Sequence, residues 1–333
     1  MSPVPSPDPH ARDDRWLAVL CLVGAMLCWG CIPVFLRFFI ASEGMDPWAV
    51  NAARYLVGAL FWLPVVLLWR KRRREGDGPA RGRSVWRDAL VPSAINVVAQ
   101  ATYGISPAYA TAPTIGFVLR LSFLFTLLFG LIFVREERRL LRRPTFPLGV
   151  LVCLAGVVAM FAEGLAKQGS ASVAGMVILL VSTVGWGGYA VSVRKFMSGY
   201  PARLGFGVIS LYTAAGLIGL AFVFGRPASL GHAGGGVWVA LVVSSFLGVA
   251  FGHVLYYRGI HRLGPVVSVG LLLGQPLVTY AGAALVLGET LTGVQALGGV
   301  AVVAGGALLL AAEAGLEPGA RPPARDGEAA SAA

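Results

Sequence analysis

Apolar segments of about 20 residues, the length that crosses a bilayer as a helix, recur along nearly the whole of this chain. Strict alternation of apolar and polar residues, the mark of a membrane β-barrel, is not seen in them. The sequence therefore predicts an all-α integral membrane protein with ten transmembrane helices. In chain order, segments one to ten run Trp16–Ile40, Pro47–Trp69, Ala89–Tyr109, Ala112–Val134, Phe146–Ala162, Ala174–Met197, Leu204–Phe224, Gly236–Tyr257, Val266–Leu287 and Leu291–Ala312.

The overall composition agrees with a lipid environment. Only 13% of the 333 residues are charged, whereas soluble domains carry about 25%. The net charge of +11 could indicate nucleic-acid binding, but the basic residues lie almost entirely between the apolar segments. Membrane topology explains that placement, so we expect the lipid bilayer and no nucleic acid as a partner.

The positions of Lys and Arg predict the orientation. The link after segment two, Arg70–Asp88, carries eight of these residues, and the link after segment four, Arg135–Arg143, carries five. Placing both links in the cytoplasm places 22 of the 27 Lys and Arg residues there. The prediction is a multi-pass protein of the inner (cell) membrane with two cytoplasmic tails, residues 1–15 and a disordered stretch at 313–333.

An internal repeat gives the architecture. The ten residues that end at Arg37 reappear, with changes, in the ten that end at Arg194. Each unit holds five segments, an odd number, so the second must be inverted relative to the first. We predict two inverted five-helix repeats, residues 16–162 and 174–312, with a polar crevice between them. The matched positions are Trp29 with Trp186, Gly30 with Gly187, Gln100 with His253, Tyr103 with Tyr256, Glu136 with Glu289, and the pair Gly149 and Gly156 with Gly298 and Gly305.

The second repeat carries family marks. The stretch Gly248–Leu310 contains Tyr256 and Tyr257 before a short basic turn, Pro276 in segment nine, and Glu289 before a glycine-rich last segment. It resembles an EamA-type member of the drug/metabolite transporter superfamily, and Trp29-Gly30 and Arg54 resemble the first-half marks. The resemblance implies a secondary transporter that exports or exchanges amino acids, nucleotides, sugars or drugs. Phe123 stands where segment nine has Pro276, so no proline kink is expected in segment four.

Arg54 and Arg120 lie deeper inside their segments than the other basic residues, and a charge there is costly and indicates function by default. Arg120 lies near mid-depth of segment four. It could bind a substrate carboxylate or phosphate, or it could bond helix carbonyls or face a water-filled crevice and only shape the gate. Arg54 is also a candidate substrate-binding residue, but it lies nearer the outer surface, which favours the alternative that its side chain reaches the interface. No Asp or Glu lies deep in any segment.

Further polar and aromatic residues complete the predicted cavity wall. Asn96, Gln100 and Tyr103 share a helix face with Ser93, which should point into the bundle. His253, Tyr256 and Gln275 come from the second repeat, and the repeat pairs would face each other across the pseudo-twofold axis. Trp29 and Trp186 could be cavity walls or packing residues. We expect Glu289 to cap the helix that follows it, and the glycines of segment ten to suit close helix packing or a homodimer.

Other functional classes find less support. An intramembrane enzyme would need carboxylates or a GxSxG elbow within the segments, so no enzyme is expected. Cys28 and Cys31 have metal-motif spacing but no second pair, so neither a metal nor another cofactor is expected, and buried apolar cysteine is the default. A channel or a receptor scaffold remains an alternative to a carrier of a small-molecule substrate.

Overall fold

The computed structural model describes residues 9–74, 84–133, 138, 141–168 and 170–314. Within these ranges the chain is helical, with no strand. The α-helices of the first half are α1 Pro9–Gly30, α2 Ile32–Arg37, α3 Pro47–Arg74, α4 Val85–Asp88, α5 Leu90–Ile105, α6 Ala112–Val118, α7 Leu121–Phe133 and α8 Thr145–Gln168. Those of the second half are α9 Ser170–Met197, α10 Ala202–Phe224, α11 Gly235–Ser245, α12 Gly252–Leu272, α13 Gln275–Leu287 and α14 Gly293–Ala314.

Nine stretches of the described residues are helical, long and apolar enough to cross a membrane. They match every predicted segment except the third, which α5 occupies. The 16 residues of α5 span about 24 Å, short of a hydrocarbon core of about 30 Å. The tenth crossing therefore stays a prediction. The first helix begins at Pro9, ahead of the expected start at Trp16, and residues 1–8 and 315–333 of the predicted tails lie outside the described residues.

The two halves are interleaved rather than packed as separate bodies. Helix α1 packs against α12, α3 against α10, and α5 against α9, so helices of the first half bury their faces on helices of the second. In lipid, burying these faces gains no hydrophobic free energy over lipid contact, and close packing has to hold the helices together. The interior between the halves is consequently built by both repeats.

The segment assigned to α12 reverses direction within its length. Gly259 lies against Leu22, and Gly274 lies against Met26. A straight helix would separate residues 259 and 274 by about 22 Å, whereas residues 22 and 26 are about 6 Å apart along α1. The chain therefore turns back between Gly259 and Gly274, as expected for the link between segments eight and nine.

Helices α8 and α14 cross at glycines from both halves. A Cβ atom added at Gly156 would lie 2.6 Å from the carbonyl oxygen of Gly298, and one added at Gly149 would lie 2.9 Å from that of Gly305. The order of the contacts makes the two helices antiparallel, as inverted repeats require. These glycines pack α14 onto α8 of the same chain, and a homodimer stays an untested prediction.

Candidate functional site

Segment four is broken beside Arg120. Helix α6 ends at Val118 and α7 begins at Leu121. The Arg120 N–H donates to the carbonyl of Phe117 (3.0 Å), and the Phe123 N–H donates to that of Arg120 (3.1 Å). These bonds span three residues instead of four, so the backbone is locally tighter than an α-helix. The break forms although Phe123 stands where the second half has a proline.

Segment nine is broken at the matching place. Helix α12 ends at Leu272 and α13 begins at Gln275, with Pro276 in its first turn. Because proline has no N–H, the Leu272 carbonyl, four residues earlier, has no partner within the helix. The Arg120 Nη1 donates to this carbonyl at 3.2 Å. The two interrupted helices therefore meet in the interior, and a side chain at one break bonds the free carbonyl of the other.

The contact with the Leu272 carbonyl uses only part of the hydrogen-bonding capacity of Arg120. Its Nε is buried and has no hydrogen-bond partner. Bonding to a helix carbonyl is one of the two roles that the sequence left open. The unpaired Nε leaves room for a further acceptor.

Arg54 is more deeply buried than the sequence indicated. Its side chain is 2% exposed, so the expectation that it reaches the membrane interface is wrong. Helix α11 packs against α3 and covers the Arg54 side chain. The Arg54 Nε donates to the Ser244 hydroxyl at 3.0 Å and its Nη2 to the Ser244 carbonyl at 3.4 Å, while Nη1 has no partner.

The polar face of α5 lines the same interior region. Ser93, Asn96, Gln100 and Tyr103 are all buried. The Asn96 amide donates to the Thr213 hydroxyl of α10 at 2.9 Å, which ties α5 to the second half. The phenol of Tyr103 lies within electrostatic range of the guanidinium groups of both Arg54 and Arg120. We define the polar cluster as Asn51 and Arg54 of α3, Asn96, Gln100 and Tyr103 of α5, and Arg120.

A second, aromatic cluster surrounds Trp29. Its ring lies 4.9 Å from that of His253 and 5.2 Å from that of Tyr256, measured between centroids. His253 stacks on Phe206 at 3.8 Å. Phe206 and its neighbour Trp62 were not among the predicted site residues, because neither carries a charge or a repeat match that would mark it in the sequence.

The predicted pairing across the pseudo-twofold axis is not seen in these clusters. Gln100 and Tyr103 lie in the polar cluster, whereas His253 and Tyr256 lie in the aromatic one. Among the described residues no hydrogen bond or ring contact joins the two pairs. The physical reason is that α5 packs mainly on α9 and α10, and α12 packs mainly on α1.

A π-helical segment, Phe246–Phe251, lies between the two clusters. Such a segment leaves main-chain carbonyls without their usual helical partners. The indole of Trp29 donates to the carbonyl of Gly248 at 3.1 Å, and that of Trp62 donates to the carbonyl of Val249 at 2.8 Å. Gly248 also lies beside the Arg54 guanidinium, so this segment contacts both clusters.

The other two predicted residues lie elsewhere. Trp186 is half-buried and meets Tyr189 edge-on at 5.8 Å. Gln275 is buried at the start of α13, and its main chain lies against Gly30 of α1. The hydroxyl of Thr279, one turn later, donates to the Gly30 carbonyl at 2.7 Å.

An ion pair joins the halves at one end of the bundle. The Arg37 Nε lies 2.6 Å from Glu289 Oε1, and Arg37 also donates to the Pro107 carbonyl. The Ala112 N–H donates to Glu289 Oε2 at 2.8 Å. Glu289 thus caps α6, and the prediction that it caps the following helix is wrong. That helix, α14, is capped by the reciprocal bonds of Thr292 and Gln295.

This architecture is that of a polytopic membrane protein whose two halves enclose a polar interior. The chain matches the model of the EamA-like transporter family over residues 16–162 and 173–311, and it belongs to that family. An "Uncharacterized transporter" of Clostridium kluyveri is 25% identical over 271 residues, which are 80% of this chain and 84% of that protein. A crystal structure with 21% identity matches with a TM-score of 0.58, covering 89% of this chain and 97% of that one, and it shows the fold alone.

The family membership confirms the resemblance seen in the sequence and the fold class of an α-helical, two-repeat membrane protein. It also confirms that the protein is a membrane transporter. All four cysteines are free, and the described residues hold no group of three or more His, Cys, Asp or Glu that could bind a metal.

Proposed function

We propose that this protein is a secondary transporter that moves a small metabolite, such as an amino acid or an organic anion, by alternating access. One observation carries the proposal: two helices are broken at matching positions of the two repeats, and Arg120 bridges the breaks. In secondary transporters such interrupted helices lie near mid-membrane at the repeat interface and supply main-chain groups to the substrate. A substrate that replaced the Leu272 carbonyl at Arg120 would change the contact between the halves.

We favour export or exchange as the mode of transport, with the basic links on the cytoplasmic face of the cell membrane. Among the described residues no Asp or Glu is buried in the helical interior, and the carboxylates that usually carry a coupling proton or sodium ion are therefore not seen. Exchange of one metabolite for another needs no such group.

The test is counterflow in liposomes loaded with members of a metabolite panel, with and without a pH gradient. We expect saturable, trans-stimulated uptake of at least one panel member. Arg120→Gln should reduce it at least tenfold, and Arg203→Gln, an exposed arginine at the start of α10, should leave it unchanged.

Three results would contradict the proposal. Flux that neither saturates nor shows trans-stimulation would indicate a channel, and chemical conversion of the added metabolite would indicate an intramembrane enzyme. Absence of flux for every panel member, with protein that is folded by thermal unfolding, would favour a receptor scaffold.

A further inference from the structure

Arg54 is a buried cation that has no anionic partner among the described residues. Its side chain is 2% exposed, and its described partners are the hydroxyl and carbonyl of a single serine, Ser244. The Nη1 group is buried and unpaired. A charged group removed from water is strongly destabilising unless an opposite charge compensates it. Arg120, by contrast, bonds the Leu272 carbonyl that Pro276 leaves free.

Two unpaired acceptors belong to the same cluster. The Asn51 Nδ2 donates to the carbonyl of Gln100 at 2.7 Å, and a carbonyl can only accept, so the orientation of the amide is fixed. Asn51 lies one turn before Arg54 on the same face of α3. Its Oδ1 is buried and has no partner.

Asn96 repeats the pattern from the neighbouring helix. Its Nδ2 donates to the Thr213 hydroxyl, which uses its own hydrogen on the carbonyl of Ile209 at 2.8 Å. With the Thr213 hydrogen on the Ile209 carbonyl, the Asn96 amide presents its Nδ2 to Thr213, and its Oδ1 is likewise buried and unpaired.

Two glycines leave space for these side chains. A Cβ atom at Gly104 would lie 2.6 Å from the Asn51 Nδ2, and one at Gly248 would lie 3.0 Å from the Arg54 Nη2. Any larger residue would displace the amide or the guanidinium. Besides the Arg120 Nε, the unpaired polar atoms of the cluster are one charged donor, on Arg54, and the two amide oxygens.

We propose that Arg54 binds the carboxylate of the transported metabolite, and that Asn51 and Asn96 accept hydrogen bonds from an amino or hydroxyl group next to that carboxylate. The inference rests on the proposed function and names its substrate class: small 2-amino or 2-hydroxy carboxylic acids. A carboxylate offers the guanidinium the charge-assisted hydrogen bonds that Ser244 cannot. The neighbouring N–H or O–H group satisfies the amide oxygens.

A first experiment needs no ligand. Thermal unfolding of the purified protein is compared with that of Arg54→Gln in buffer with chloride as the only anion. The Ser244 hydroxyl also donates to the Leu241 carbonyl, so the substitution leaves it bonded. We expect Arg54→Gln to raise Tm by a few degrees, because it removes an uncompensated charge. A lower Tm, or a variant that fails to fold, makes Arg54 a structural residue and overturns the inference.

A second experiment measures binding by the rise in Tm with added compounds. The probes are four matched series with small and aromatic side chains: 2-amino acids, 2-hydroxy acids, carboxylates without the 2-substituent, and the carboxamides of the amino acids. We expect at least one amino or hydroxy acid to stabilise the wild type. The plain carboxylate should bind about tenfold more weakly, since it leaves the amide oxygens unpaired. The carboxamide should bind about 30-fold or more weakly, since it lacks the charge.

The variants separate this inference from the proposed function. Arg54→Gln should lose binding about 30-fold or more, Arg54→Lys should retain part of it, and Arg226→Gln, an exposed arginine, should match the wild type. Counterflow of a metabolite without a carboxylate that persists in Arg54→Gln overturns the inference and leaves the transporter standing. Stabilisation by a carboxylic acid without any counterflow supports the site and contradicts transport. If no carboxylic acid stabilises the wild type, the inference is wrong.

Discussion

The two halves of the chain meet at two crossings that are built in opposite ways. At the first, α8 and α14 touch backbone to backbone through Gly156 and Gly298, and each half supplies the same residue type. At the second, the breaks of segments four and nine differ: one half supplies Arg120, the other Pro276 and a free carbonyl. The repeat symmetry is kept where the contact only packs, and it is lost where polar groups need partners.

Gly156→Leu tests the packing crossing and should have the largest effect. The carbonyl oxygen of Gly298 lies 2.6 Å from the new Cβ, and the nitrogen of Val302 lies 2.8 Å from it. Backbone atoms cannot rotate away as a side chain does, so we expect a loss of about 3 kcal/mol or more in stability. Thermal unfolding and size-exclusion chromatography measure it. Gly219→Leu is the control, since nothing lies within 4 Å of a Cβ there. Equal stability of the two variants would disprove the close crossing.

Arg120→Leu tests the second crossing. Removing the guanidinium leaves the Leu272 carbonyl without a partner, and we expect a stability loss of about 1–3 kcal/mol. Counterflow should fall at least tenfold even at temperatures where the variant is folded. The matched control is Arg203→Leu, which is exposed. If counterflow per folded molecule stayed at the wild-type level, the break would have no part in transport.

Pro276→Ala tests why the second half carries the proline. Alanine restores the N–H that can bond the Leu272 carbonyl within the helix, so Arg120 loses its acceptor. The double variant Arg120→Leu, Pro276→Ala should therefore be more stable than the sum of the single changes by about 1 kcal/mol. Pro113→Ala, in the first turn of α6, is the control for proline removal. Strict additivity in the thermal-unfolding cycle would mean that the carbonyl and the guanidinium are not coupled.

Glu289→Gln tests a third contact between the halves, the ion pair of Arg37 and Glu289, in which both carboxylate oxygens of Glu289 have partners. Glutamine can still accept from the Ala112 N–H, and only the charge opposite Arg37 is lost. Because the pair is partly exposed, the stability should fall by less than about 1 kcal/mol, whereas Glu289→Ala should cost more. Thermal unfolding measures the stability of both variants. Equal losses of stability in the two variants would mean that the cap on α6 contributes nothing.

Residues whose role depends on their own segment could be predicted from the sequence. The spacings of three, four and three residues between Ser93, Asn96, Gln100 and Tyr103 placed them on the inner face of α5, because a helix fixes which side chains share a side. The glycine pairs of segments five and ten were found as a repeat, since close crossing tolerates no larger residue. The polar cluster was predicted in part, and Asn51 was not among the predicted site residues.

Residues whose role depends on a distant segment could not be placed in this way. Arg54 was expected at the interface because depth along a helix can be read from a sequence, whereas coverage by α11 cannot. Segment four has Phe123 where segment nine has Pro276, so its break beside Arg120 could not be predicted from a proline. Glu289 caps a helix 177 residues away in sequence, whereas local capping rules consider only the adjacent helix turn.

The sequence by itself determined the membrane class, the repeat and the inward face of α5, because apolar length and helical period act within one segment. Only the tertiary structure decided which buried groups are paired, as with Arg120 on the Leu272 carbonyl and Arg54 left with a serine. Partners in a low-dielectric interior come from other helices, and their approach depends on how all the helices pack.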